Sequence, residues 1–168
     1  MLLTEDSHSG YQLYRQMYDG AAVACVSAGG NAGIFPWLRE HHDQKVFVIA
    51  DGAAFGSEMD RVMKLQHQYP DSITVCLPES FEWLILQSGL LDIPGLQAVL
   101  SNPSAAIDSG RYFSWENFFT DYLVQLSAGT HYAYSKTKLN DFYAVRENSG
   151  KIVALIAAGM PRAENEEV

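Results

Sequence analysis

In the first half of the chain, short apolar runs alternate with stretches whose apolar residues recur at helical spacing. Residues 2–5 read as a short strand, and residues 7–18 as a helix turning Leu13, Tyr14 and Met17 inward. Residues 22–27 form a second apolar run, followed by the turn "AGG" and a helix over 31–41. Residues 46–50 make the third strand, opening with four apolar residues without a break, Val46 to Ile49, the pattern of a strand buried on both faces. Ser57 stands in N-cap position for a third helix, with Asp60 at capping-box spacing and Met59, Val62 and Met63 facing in. Residues 73–77 make the fourth strand, and "SFEWLILQSGLL", residues 80–91, a nearly all-apolar fourth helix. Such alternation with short links predicts an α/β fold: a parallel four-stranded, Rossmann-like sheet flanked by helices.

After residue 91 the rhythm breaks. "DIPGLQAVLSNPSAAIDSG" lacks a sustained period and reads as a loop with a short helix. Trp115, Phe118, Phe119, Tyr122, Leu123 and Leu126 then fall on one helical face. Such a stripe is more often packing than a ligand box, so Trp115, Phe118 and Tyr122 are expected to be largely buried. The stretch from residue 132 to 159 fits a helix followed by a strand or a second helix. The expected organisation is an α/β domain over 1–91, a mostly helical extension packed on it over 92–160, and a disordered acidic tail over 161–168.

Composition narrows the possibilities. With 168 residues, 48% of them hydrophobic, the chain can bury one sizeable core. Its apolar runs fall short of the roughly 18 residues that a membrane span needs. "MLLTEDSHSG" has no basic flank and does not read as a signal peptide. Cys25 and Cys76, each inside an apolar run, suggest buried reduced thiols and a cytoplasmic protein. A net charge of −9, from 20 acids and 11 bases, is the wrong sign for gripping a phosphate backbone unaided. It leaves room for a local basic groove or a basic partner.

Candidate chemistry lies where the strands end. The C-terminal ends of parallel strands open on one edge, where α/β proteins place their sites. Here that edge carries Glu5 and Asp6, then Ser27, Gly29 and Gly30, then Asp51 and Gly52, then Glu79. Converging carboxylates repel one another, and a hard divalent cation relieves them. Acids before helix N-termini also complement the dipole, which accounts for Asp51 and Glu79 equally well. "SAGGNAG" offers backbone N–H groups to a phosphate, or simply a tight turn. "HHD", residues 41–43, fits a histidine-rich helix C-terminus, because adjacent helical side chains diverge by about 100°. Lys136, Lys138, Arg146 and Lys151, interleaved with Tyr134, Phe142 and Tyr143, form either a nucleic-acid contact or a solvated face.

In order and spacing, "LLTED", "CVSAGGNAG" and "VFVIADGAAFG" resemble the TOPRIM domain of topoisomerases, bacterial primases and OLD-family nucleases. The resemblance covers about residues 1–91 and implies Mg²⁺-dependent phosphodiester chemistry on nucleic acid. Glu5 would be the essential Glu, acting as general acid/base or metal ligand, and Asp51 the first acid of Asp-x-Asp. Ala53 stands where the family has its second Asp, so Glu79 or Asp6 would have to substitute as metal ligand. No Walker A motif is present, so the resemblance to OLD nucleases implies a separate ATPase subunit as partner. Two other readings stay open: a non-catalytic TOPRIM-like interaction domain, and a small nucleotide-binding protein using the glycine turn.

Overall fold

The computed structural model describes residues 1–52, 56–107, 110–112 and 114–156. Four strands, β1 (Leu2–Thr4), β2 (Cys25–Ser27), β3 (Val46–Ile49) and β4 (Ile73–Cys76), form one all-parallel sheet in the order β2-β1-β3-β4. The strands and their parallel pairing follow the expectation, each trimmed by a residue or more at its ends. All four residues of β3 are buried, as the unbroken apolar run requires.

Helices α1 (Ser9–Met17), α2 (Asn31–Glu40), α3 (Met59–Gln68) and α4 (Phe81–Gln87) link or follow the strands. Alternate strand residues feed two separate cores, because successive side chains point to opposite faces. Leu3, Val46, Val48 and Ile73 pack with Ile34 and Leu38 of α2 and with Val62 and Leu65 of α3. Leu2, Phe47 and Ile49 pack with Leu13 and Tyr14 of α1 and with Leu84 and Ile85 of α4. Thus α1 and α4 cover one face and α2 and α3 the other. The third helix begins later than expected, behind a 3₁₀ turn over Gly56–Glu58, with Glu58 rather than Ser57 in the N-cap position.

The remainder is helical: α5 (Leu96–Ser101), α6 (Trp115–Ser127), α7 (Asp141–Ala144) and α8 (Arg146–Val153). Residues 132–156 therefore contain helices and no strand, and residues 157–168, with the acidic tail, lie outside the described residues. Phe118, Phe119, Leu123, Tyr143 and Ile152 join the core already formed by α1 and α4, so the extension and that face of the sheet share one apolar layer. The aromatic stripe is less deeply buried than its spacing predicts. Phe118 and Phe119 are buried, but Trp115 and Tyr122 are half-buried at its flanks, and Leu126 is 42% exposed. Burial passes instead to Ser127, whose Oγ accepts the Tyr134 N–H at 2.9 Å where the chain folds back. Cys25 and Cys76 are free and half-buried rather than buried, because β2 and β4 are the two edge strands. Among the described residues no helix is long and apolar enough to cross a membrane.

One glycine is required by close packing. A Cβ at Gly33 would stand 2.1 Å from the Ala28 carbonyl oxygen. That backbone cannot yield freely, since the Ala28 N–H donates to the Thr4 carbonyl at 2.8 Å. Gly33→Ala should therefore push α2 off the end of β2 and cost about 1–3 kcal/mol, the usual range for overpacking. Urea denaturation checks this, and a midpoint equal to the wild type's would refute the contact.

Candidate functional site

In the strand order β2-β1-β3-β4, the chain turns one way from β1 to β2 and the other way from β3 to β4. The crevice between the carboxyl ends of β1 and β3 is thus the topological switch point, the usual ligand position in such sheets. Thr4 is paired with Ile49, so the chain leaves both strands side by side. This register brings Glu5 and Asp51 together across 46 residues of sequence: the Asp51 N–H donates to Glu5 Oε2 at 3.2 Å.

The crevice is lined by both acids together with Asp6, His8, Ser9, Tyr14, Glu82, Tyr134 and Lys136, among others. Its space of about 40 Å³ would hold an ion or about three or four waters, given roughly 10–15 Å³ for each water. A nucleotide could only reach it from outside.

The C-terminal extension closes the crevice on one side through a set of hydrogen bonds to α1. Ser9, fully buried, donates its Oγ–H toward the carbonyls of Ser135 and Lys136, at 2.6 and 2.9 Å, and its N–H to the Lys136 carbonyl at 2.9 Å. Gln12 donates to the Thr137 carbonyl and accepts the Leu139 N–H, both at 2.9 Å. This latch sets Tyr134 and Lys136 against the strand ends. The Tyr134 O–H donates to Glu82 Oε1 at 2.7 Å, and Lys136 Nζ pairs with Glu116 in the first turn of α6.

Five carboxylates and one ammonium therefore act on one another, and the acids bear the strain. Burial pushes the Asp51 carboxyl up to about 8, with the charges of Glu82, Glu116 and Glu5 adding to it and Lys136 opposing. Burial also raises Glu5; the Asp51 N–H opposes that, and the charges of Asp6 and Glu116 add to it. For Lys136, burial works against the charge, but pairing with Glu116 and the nearby Glu82 and Asp51 carry it above the ordinary lysine value. A carboxyl held near neutrality in a cleft can exchange a proton, or accept a cation in the proton's place.

Glu79 is not among the residues lining the crevice. Asp6 does line it, but its Oδ1 accepts the His8 N–H at 2.9 Å and its Oδ2 lies 2.7 Å from His8 Nδ1, which ties it to the entry of α1. In the glycine turn, the Gly29 N–H donates to Ser27 Oγ at 3.2 Å and the Gly30 N–H to the Glu5 carbonyl at 2.7 Å, at φ of 77° and 129°. Those donors serve the turn. The Gly52 N–H likewise donates to the Pro78 carbonyl at 2.7 Å, and a Cβ there would stand 3.0 Å from the Leu77 carbonyl oxygen. His41 and His42 direct Nδ1 to the carbonyls of Trp37 and Arg39, both at 2.8 Å, in keeping with a helix C-terminus.

Of the basic cluster, Lys136 belongs to the crevice. Lys138, Arg146 and Lys151 are exposed, while Tyr134 and Tyr143 are core residues and offer no surface ring for base stacking. Glu82 and Glu116 escaped the sequence reading because each sits inside an apolar or aromatic stretch. The available signal was an acid at a position that helix packing must bury, since an unpaired buried carboxylate is rare.

The donors at the crevice are carboxylate oxygens, the ligand type that a hard divalent cation takes. One of them, Glu82 Oε2, is buried without a hydrogen-bond partner. Among the described residues no three His, Cys, Asp or Glu side chains form a ready-made metal cage. The arrangement thus fits an ion held by one or two carboxylates and waters, as Mg²⁺ often is. No family model, curated protein or solved structure matches the chain, so its chemistry is read from the crevice's own residues.

Proposed function

We propose that the β1/β3 crevice binds Mg²⁺ and serves phosphodiester chemistry of the nuclease type on nucleic acid, in keeping with the resemblance to TOPRIM domains. The observation that carries this reading is the meeting of Glu5 and Asp51 at the switch point, with the Asp51 carboxyl near 8. Asp51 and Glu5 would hold the ion through carboxylate oxygens. Once bound, Mg²⁺ polarises a phosphoryl oxygen and makes its bound water more acidic. Where Asp51 alone holds the ion, Glu5 is the candidate proton acceptor, since burial raises its carboxyl above the ordinary value and it lines the crevice. Lys136 neutralises part of the acidic cluster and stands where an approaching phosphate would meet a positive charge. The exposed Lys138, Arg146 and Lys151 would track the nucleic-acid backbone, and a separate ATPase subunit is the partner suggested by OLD-family nucleases.

A non-catalytic scaffold serving that partner is the second reading. Ala53 in place of a second acid favours it, as does Lys136, a resident cation that already offsets the carboxylates.

Isothermal titration of Mn²⁺ or Mg²⁺ into wild type and Asp51→Asn separates the two. Metal binding is expected for the wild type, and its loss, or at least a tenfold weakening, for the variant. Absence of binding in both would leave the scaffold reading.

A further inference from the structure

The side chain of Glu82 has a feature that the Glu5–Asp51 pair does not explain. It is 1% exposed, and Tyr134 satisfies only Oε1, leaving Oε2 buried with no partner. A buried carboxylate oxygen left without a donor is costly, and native proteins leave few of them.

Two structural roles for Glu82 are already filled. Ser80 caps α4, its Oγ accepting the Trp83 N–H at 3.1 Å, so no acid is needed for that bond. Lys136 is engaged by Glu116, so Glu82 is not the direct ion-pair partner of the lysine. Yet Glu82 and Tyr134 both line the crevice that contains Glu5 and Asp51.

We propose that Glu82, oriented by the Tyr134 hydroxyl, is a further acidic group of the crevice and takes a divalent cation through its free Oε2, with one of Asp51 and Glu5 and bound water completing the site. The acid supplied after β4 is thus the one on the first turn of α4, three residues beyond Glu79. Tyr134 is a positioning residue: it comes from the C-terminal extension and fixes which Glu82 oxygen stays free. The site is then complete only when residues 134–136 are latched to Ser9 on α1. This inference rests on the metal-binding reading above.

The test is Mn²⁺ titration by calorimetry into four full-length proteins: wild type, Glu82→Gln, Glu79→Gln and Tyr134→Phe. Near-ultraviolet circular dichroism reports whether each variant keeps its packing. Glu82→Gln should weaken Mn²⁺ binding at least tenfold and Glu79→Gln should leave it unchanged. Tyr134→Phe should weaken it about tenfold, the lower end of what loss of an orienting partner costs a metal site.

Wild-type binding with an unaltered affinity in Glu82→Gln would overturn the inference while leaving the Asp51 site standing; an internal water would then serve Oε2. Equal losses in Glu79→Gln and Glu82→Gln would also overturn it, since any rim acid would then suffice. Should Glu82→Gln lose its packing, Tyr134→Phe decides, and an unchanged affinity there counts against the proposal. No Mn²⁺ binding by the wild type would remove the metal-binding reading itself and this inference with it.

Discussion

Raising the pH from about 5 to about 9 should destabilise the wild type markedly and Asp51→Asn much less. The Asp51 carboxyl lies at about 8 in the folded protein, against roughly 3.9 in an unfolded chain. Between those values the folded state holds a proton that the unfolded state has released. Stability therefore falls with rising pH across that window, with no penalty below about pH 4 and the full penalty above about pH 8. Each unit of difference corresponds to about 1.4 kcal/mol, so the effect amounts to several kcal/mol.

Asn preserves the shape and cannot ionise, so the variant should overtake the wild type in stability above neutrality. Glu5 is raised in the same direction and should leave a shallower slope of the same sign. Urea unfolding at a series of pH values measures both curves. Parallel curves would mean that water reaches Asp51 freely and that burial does not govern it. If the crevice holds a divalent cation, Mn²⁺ should return stability to the wild type chiefly at the alkaline end, where the carboxylates are ionised.

A loss of about 3–5 kcal/mol is expected for Phe118→Ala, the usual cost of truncating a buried aromatic. Phe118 is 4% exposed and stands among Tyr112, Trp115, Phe119 and Tyr122, with ring centroids 5.4 to 6.3 Å away. It belongs to the core shared by α1, α4 and the extension, so the cavity would open at the seam between them. The same variant bears on the site, because α6 carries Glu116, the partner of Lys136. The denaturant midpoint is the measurement. An unchanged midpoint would show that the aromatic face is not a structural seam.

The strands and main helices were legible in the residues because each is encoded locally. A run such as Val46 to Ile49 has one stable environment, the middle of a sheet, and periodic apolar stripes on α1 and α3 dictate which face turns inward. Parallel pairing followed from the short alternating links. Glu5 and Asp51 could be named as neighbours because both follow the C-terminal ends of parallel strands, and all such ends share one edge.

What the residues did not disclose depends on contacts far apart in sequence. That Glu82 lines the crevice and Glu79 does not turns on where α4 begins and what it packs against: Glu79 precedes the Ser80 cap, and Phe81 packs against Tyr14 of α1. Tyr134 and Lys136 look like parts of a basic, aromatic surface segment until Ser9 and Gln12, some 126 residues earlier in the case of Ser9 and Ser135, bind that segment's backbone. The half-burial of Trp115 and Tyr122 has the same origin, since spacing specifies a face but not how far its neighbours extend. Hydrophobic periodicity is a local property that decides which residues leave water. The convergence of charges is decided by how the packed layers are finally oriented, and only the tertiary structure contains that.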